Sequence, residues 1–327
     1  MRANGKYYIL TNKPERKMKR LFVAVAAFAL AAGIASAQDM SAAVETFNMG
    51  AQTLESNKAE ALAQFKSALT QFEACDAEEA AEMIAQCKKI IPQTMVSIAK
   101  EQINESKYDK ALETLKEAAG VAEGYGQEEI AVEAKDLVPT AYVRKGAALM
   151  KDKDFVGAAA AFKGAVALTP EDGQTQLLYG QALMQAGDND NAVAALEAAA
   201  ANGKEDQAKK LLSNLFLKEG MALVKANKSA EAITALEKAN SYVESANAYK
   251  LIASANTKLG KSKAAIEAYK KYLEVSPDAK DAADVMFTIA ATAQKASDKA
   301  TAIEYYKKLS GTKYAEQAKA QLAALQK

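Results

Sequence analysis

A spacing of 34 residues recurs at the centre of the chain, in two consecutive copies of one pattern. Each copy has a glycine, then an alanine 12 residues later, then a large apolar residue four positions after the alanine. The matching pairs are Gly146 and Gly180, Ala158 and Ala192, and Phe162 and Leu196. A repeat of this length cannot bury an apolar face alone, so neighbouring copies must stack to form a core.

The repeated unit is helical. Apolar residues recur at intervals of three and four through most of the chain, which is the period of an α-helix. Each copy divides into two short helices, A and B, around a polar turn such as 151–154 or 185–188. Helix-forming residues dominate and there are five prolines among 327 residues. The sequence therefore predicts an all-α chain. We interpret Gly146 and Ala158 as small because helices A and B approach closely there.

The glycine, alanine and large apolar positions resemble those of the tetratricopeptide repeat. The resemblance implies an α-α superhelix, a solenoid of about seven helix pairs. The alanines that open the seven B helices are Ala61, Ala111, Ala158, Ala192, Ala232, Ala265 and Ala302. These alanines are separated by 50, 47, 34, 40, 33 and 37 residues. Where a spacing exceeds the 34-residue unit, the extra residues lie between repeats. We expect residues 314–325 to form the capping helix that an open array needs.

The early repeats contain extra segments at 76–91 and 127–138. Pro92 and Pro139 follow these segments and stand 47 residues apart. Because proline disfavours helix in the preceding residue, each segment is predicted to be an amphipathic helix that ends or kinks at the next A helix. We divide the chain into a leader (1–37), long repeats with inserted helices (38–139), a regular array (140–313) and a capping helix (314–327).

The amino terminus has the layout of a secretory signal peptide. Lys19 and Arg20 precede an apolar run over 21–34, and the small residues at 35–37 form a cleavage site that predicts a cut after Ala37. The run is 14 residues long, shorter than the roughly 20 that span a membrane. Met18 directly precedes Lys19, so translation from either Met1 or Met18 stays open.

Removal of residues 1–37 changes the formal net charge from +1 to −5, since seven Lys/Arg and one Glu are lost. The acidic remainder has no basic stripe typical of nucleic-acid binding. Gln38, where a lipoprotein would have cysteine, argues against a lipid anchor. We therefore expect an exported protein, periplasmic or secreted, with no membrane span.

Cys75 and Cys87 would then lie in an oxidising compartment, where paired cysteines tend to bond. If Asp76 caps a helix over 77–90, however, the two cysteines lie about 18 Å apart, well beyond the reach of a disulfide. An internal disulfide, two reduced thiols and an intermolecular bridge all stay open.

Few side chains in the sequence suit catalysis. Histidine and tryptophan are absent, which excludes His-based triads and imidazole metal sites. The segment 124–126 is better explained as a helix-ending turn than as a phosphate loop. The acidic pairs at 78–79 and 128–129 suit the first turns of helices. We expect no enzyme activity, no cofactor and no metal.

What remains is a binding surface. In tetratricopeptide arrays the A helices line a concave face that holds a peptide or a helix. The resemblance places nine candidate contacts there: Val143, Met150, Leu177, Gln181, Met184, Leu217, Met221, Val224 and Lys250. We call this set the A-helix stripe. Most of it is apolar, and its methionines suit adaptable contacts. Whether it is an open groove or internal core stays open.

The sequence therefore predicts an exported scaffold that binds a peptide or amphipathic helix of another protein in the cell envelope. The alternative is a self-associating structural component, a homo-oligomer in which the stripes of two copies meet. No nucleic-acid partner is expected.

Overall fold

Fifteen α-helices account for nearly all of the backbone in a computed structural model that describes residues 34–76, 78 and 80–325. The described residues contain no β-strand. The all-α prediction is confirmed. The leader predicted from the sequence lies outside the described residues over 1–33, and the backbone of 34–37 opens the first helix.

The helices follow one another as seven A–B pairs and a final single helix. The pairs are α1 Ile34–Thr53 with α2 Lys58–Glu73, α3 Ala80–Asn104 with α4 Tyr108–Gly124, α5 Glu128–Lys151 with α6 Phe155–Leu168, α7 Gly173–Ala186 with α8 Asn189–Ala199, α9 Glu205–Lys225 with α10 Ser229–Tyr242, α11 Ala246–Lys258 with α12 Ser262–Val275, and α13 Ala282–Lys295 with α14 Lys299–Lys308. The predicted final helix is α15, Ala315–Leu325, which packs against α14.

The turns between A and B helices share one local design. Six of the seven turns contain a residue in the left-handed conformation, which ends the A helix. These residues are Ser106, Lys153, Gly187, Asn227, Gly260 and Ser297. An Asn or Asp then caps four of the B helices by accepting a backbone N–H three residues on. The sequence thus fixes both the end of one helix and the start of the next.

Helices A and B approach closely where the sequence has glycine. A Cβ on Gly146 would lie 2.7 Å from the ring of Phe162, and the ring is fully buried. The same contact recurs in three other pairs, between Gly50 and Phe65, Gly180 and Leu196, and Gly220 and Leu236. The interpretation of Gly146 as a close-approach residue is therefore confirmed, and one contact type is repeated along the chain.

The two inserted segments are not separate helices. Pro92 lies inside α3 and Pro139 inside α5, so each insert continues directly into the A helix that follows it. The prediction that a helix could end at each proline is wrong. Pro92 removes one backbone hydrogen bond from α3, since proline has no N–H. The burial of Ile90, Ile91 and Pro92 in the continuous helix offsets that loss.

One further helix boundary differs from the sequence-based expectation, and one irregular turn has no counterpart in it. The helix predicted from residue 77 begins at Ala80. A turn of π-helix at Ala200–Lys204, broken by non-helical Asn202 and Gly203, leads into the 21-residue helix α9. This long A helix and its irregular start account for the 40-residue spacing between Ala192 and Ala232, which is longer than the 34-residue unit.

The described chain forms two compact units that divide between Lys145 and Gly146, inside α5. The first unit has one continuous core of buried residues from Met40 to Ala141. Lysine–carboxylate pairs join its successive repeats, for example Lys100 with Glu133 at 2.6 Å. Such exposed pairs contribute little each, so apolar burial is the main stabilising term. The domain boundaries proposed from repeat lengths stay predictions.

Both cysteines are free and belong to the first unit. Cys87 is fully buried in its core, and Cys75 packs against that core. Burial raises the pKa of the Cys87 thiol to about 12, and Glu73 adds to the effect. Of the alternatives left open by the sequence, an internal disulfide is absent from the described chain, and the burial of Cys87 shields it from other molecules.

Candidate functional site

The A-helix stripe lies mainly on α7, α9 and α11 of the second unit. Val143, on α5, belongs to the first unit, where it is half-buried; Met150, near the end of the same helix, belongs to the second. The other seven members follow along the three A helices. Since α9 packs against both α7 and α11, the central part of the stripe is continuous.

The stripe is part core and part surface. Leu177 is 4% exposed and joins Leu212 and Phe216 in one buried cluster, so it offers almost no surface to a partner. Met184 and Leu217 are partly buried against the same cluster. Met221 is 39% exposed. Periodicity grouped these side chains together, and the structure separates a packed layer from an accessible one.

The remaining apolar and polar members lie at the edges of that accessible layer. Val224 and Leu217 pack against a second cluster that contains Ile252. Gln181 is half-buried on α7. The stripe thus changes from apolar on α9 to polar on α11, where its member is Lys250. That these residues contact a partner stays a prediction.

Lys250, at the α11 end of the stripe, is exposed and ion-paired with Asp281. Its ammonium also lies 5.6 Å from the centre of the Tyr272 ring. The Tyr272 hydroxyl donates to Asp281 at 2.5 Å. Hydrogen bonds from Lys250 and Tyr272 hold the pKa of Asp281 below its usual value, and the bond to Asp281 raises the pKa of Lys250. The charge of Lys250 is therefore largely neutralised within the chain.

An amide network anchors the start of α9 to the start of α7. Asn202 Nδ2 donates to Gln176 Oε1 at 2.8 Å, and Gln176 Nε2 donates to the carbonyl of Pro170. A Cβ on Gly173 would lie 2.3 Å from the Asn202 carbonyl oxygen. The network positions the central A helices relative to each other. Sequence reasoning missed it, because it depends on the irregular turn before α9.

Sequence reasoning also missed a cleft between α10, α11 and α12, with a volume of about 510 Å³. Asn240 lines it, and its Oδ1 accepts the backbone N–H of Ser245 at 2.9 Å. Its Nδ2 is buried and has no hydrogen-bond partner among the described residues. The wall also includes Glu237, Tyr249 and Asn256.

Within the described residues, no group of three or more His, Cys, Asp or Glu side chains could hold a metal ion. No described helix is both long enough and apolar enough to cross a bilayer.

Repeated helix pairs with a partly exposed apolar stripe define a helical-repeat protein of the interaction-scaffold class. The chain belongs to the tetratricopeptide repeat family. Two models of that family match it, one at residues 149–215 and the other at 97–173 and 217–284, and together they span more than half of the chain.

Several solved structures resemble the chain. A MamA structure is 23% identical, with 57% of this chain and 96% of that one covered and a TM-score of 0.33. PilF of Pseudomonas aeruginosa is 15% identical, with 72% and 99% covered and a TM-score of 0.31. YrrB, described as a tetratricopeptide repeat protein with an unusual peptide-binding site, is 17% identical, with 57% and 86% covered and a TM-score of 0.30. No curated protein sequence matches significantly.

Proposed function

We propose that this protein is an exported scaffold that binds a peptide or amphipathic helix of another envelope protein on the A-helix stripe. Family membership supports a role in protein–protein interaction. The observation that carries the finer proposal is the accessible apolar layer formed by Met184, Leu217, Met221 and Val224 on two adjacent A helices. A core would enclose these side chains, whereas here they rest on the core and stay partly open.

The mechanism follows from how the stripe is supported. The side chains beneath it, such as Leu212 and Phe216, are buried, and the amide network fixes α9 against α7. The side chains of this surface are therefore already ordered in the free protein. Little conformational entropy is lost there when a partner binds, which favours affinity. Methionine side chains on that surface adapt to partners of different shape. Binding then requires no catalytic group.

Replacing Met221 with glutamate is expected to abolish partner capture. The test is affinity capture by the chain from residue 38 on, with the envelope fraction of its own cells as the source. The matched control is Met49→Glu, since Met49 is 42% exposed against 39% for Met221 and lies in the first unit. Retention of one partner by the wild type and by the control, and its loss by Met221→Glu, would support the stripe. If all three capture the same proteins, partners bind elsewhere.

Export is expected to leave a mature protein that begins at Gln38. The prediction rests on the basic residues before the apolar run and on the small residues at 35–37. Intact-mass measurement of the protein from periplasmic and cytosolic fractions tests it. A matched variant, Ala35→Arg/Ala37→Arg, is expected to block cleavage and give the longer mass. A wild-type protein that keeps residues 18–37 and stays in the cytosol would refute export.

A further inference from the structure

Two of the central A helices of the second unit, α7 and α11, contain no acidic residue. Helix α7 contains no charged residue, and α11 contains two lysines and no acid. On α9 the acids are Glu205, Asp206 and Glu219, and two of these lie in the first turn. The central A-helix surface is thus poor in carboxylates, although the chain after residue 37 has a net charge of −5.

Three lysines of α9 share one exposed face with Met221. The face has five exposed residues, spaced by four, four, three and four positions along the helix. They are Lys210, Asn214, Lys218, Met221 and Lys225. At 100° per residue they fall within an arc of about 80°. The buried residues of α9, such as Leu212 and Phe216, lie on the opposite side. We call these five residues the basic stripe.

The charges of the basic stripe are not neutralised within the chain. Among the described residues, Lys210, Lys218 and Lys225 have no ion pair. Lys209, on a different face of the same helix, is paired with Glu205 at 2.6 Å. The stripe therefore keeps its positive charge available. Of the acids of α9, Asp206 is four residues before Lys210, Glu205 is paired with Lys209, and Glu219 lies about 100° around the helix from Lys218.

The neighbouring A helices add no acid to this face. Helix α7 has no charged residue, and its polar side chains with solvent exposure include Gln181 and Gln185. Helix α11 contributes Lys258, which donates to the neutral oxygen of Asn227 at 3.4 Å. The basic stripe is therefore flanked by neutral and positive side chains, and it has the partly exposed Leu217 and Val224 beside it.

We propose that the basic stripe docks an acidic amphipathic segment of a partner protein, whose apolar side chains contact Met221 while its carboxylates pair with Lys218 and Lys225. The inference rests on the proposed function and specifies the partner that fits it. Charge complementarity selects an acidic segment, and the apolar centre of the stripe selects a peptide over a nucleic acid.

A second copy of the chain fits this surface less well. Among the B helices that a second copy would present, α8 has acids without a lysine, but it has just two, Asp190 and Glu197; the other B helices with acids also carry lysines. Helix α12, for example, has Lys263, Lys270 and Lys271 against Glu267 and Glu274. The acidic segment therefore belongs to another protein.

Three synthetic peptides test the proposal. All have about 18 residues, or five helical turns, with leucine at helical spacing on one face. The other face has glutamate in the first peptide, glutamine in the second and lysine in the third. Fluorescence anisotropy measures their binding to the chain from residue 38 on, at low and at physiological salt. The glutamate peptide is expected to bind about tenfold more tightly than the glutamine peptide, with the difference reduced by salt.

Matched lysine variants identify the surface. Lys218→Gln/Lys225→Gln is expected to lower the affinity for the glutamate peptide to that of the glutamine peptide. Lys163→Gln/Lys299→Gln, at two exposed lysines on B helices of the same unit, is expected to change neither affinity. Equal effects of the two double variants would overturn the assignment to the basic stripe.

Failure of this inference differs from failure of the proposed function. If all three peptides bind equally and Met221→Glu abolishes that binding, the stripe is a docking site without charge selection. If none binds and Met221→Glu leaves partner capture unchanged, the proposed function fails too. Tighter binding of a DNA duplex, or a salt-sensitive increase in mass with protein concentration, would point to nucleic acid or to a second copy and overturn the proposal.

Discussion

Replacing Phe162 with alanine is expected to lower the free energy of unfolding by about 4 kcal/mol, within the range for buried phenylalanine. The Phe162 ring is fully buried on α6, directly against Gly146 on α5. Truncation removes the contact that holds the third helix pair together, and the backbone cannot close the cavity completely. Urea denaturation followed by circular dichroism measures the loss.

Val156 provides the matched control for this prediction, since it lies on the same helix and is 71% exposed. Val156→Ala is expected to change the free energy of unfolding by no more than about 0.5 kcal/mol. Because repeat arrays can unfold in parts, amide hydrogen exchange in α5 and α6 should report the same difference locally. A loss below about 1 kcal/mol for Phe162→Ala would show that the ring is not a core residue.

The architecture was predictable because its signal is repeated. One glycine–phenylalanine spacing says little, but the seven B-helix alanines recur at related distances, and a helix pair is found at each. The physical reason is local. Each close contact needs a small residue opposite a large one, so the same residue types must return in every pair.

Helix boundaries were less predictable, because local preference and burial oppose each other there. Pro92 favours a helix end, but Ile90 and Ile91 beside it are buried, and a continuous helix keeps them so. The irregular turn at Asn202 has no clear local signal, since its stability comes from the hydrogen bond to Gln176 on another helix.

The A-helix stripe shows the limit of periodicity most clearly. Leu177, Leu217 and Lys250 are placed alike on successive A helices, yet they are buried, partly buried and exposed, respectively. Helical spacing shows which residues share a face, but burial depends on how the neighbouring helices pack. The basic stripe was missed for a related reason: its lysines are distinctive because they lack ion pairs, which the sequence does not show.

Alanine is expected to have opposite effects at two helical glycines. At Gly146 the new Cβ would lie 2.7 Å from the Phe162 ring, so the helices must separate or the ring must leave its rotamer. Such overpacking costs about 1–3 kcal/mol, more than the roughly 1 kcal/mol that alanine gains over glycine inside a helix. Gly120 is exposed on α4, and a Cβ there meets nothing within 4 Å. Gly120→Ala is therefore expected to stabilise the chain by about 0.5–1 kcal/mol.

A double-mutant cycle tests whether the Gly146 effect comes from the ring. With Phe162→Ala as background, the space beside Gly146 is open, so Gly146→Ala should change sign and stabilise by up to about 1 kcal/mol. The expected coupling between the two sites is about 1–3 kcal/mol, the overpacking cost that Phe162→Ala removes, measured from urea denaturation of the four proteins. Gly120→Ala in the same background should be additive, since it lies outside this contact. Additivity at Gly146 as well would mean that steric contact with Phe162 is not why glycine is needed there, and the close approach repeated along the chain would need another physical cause.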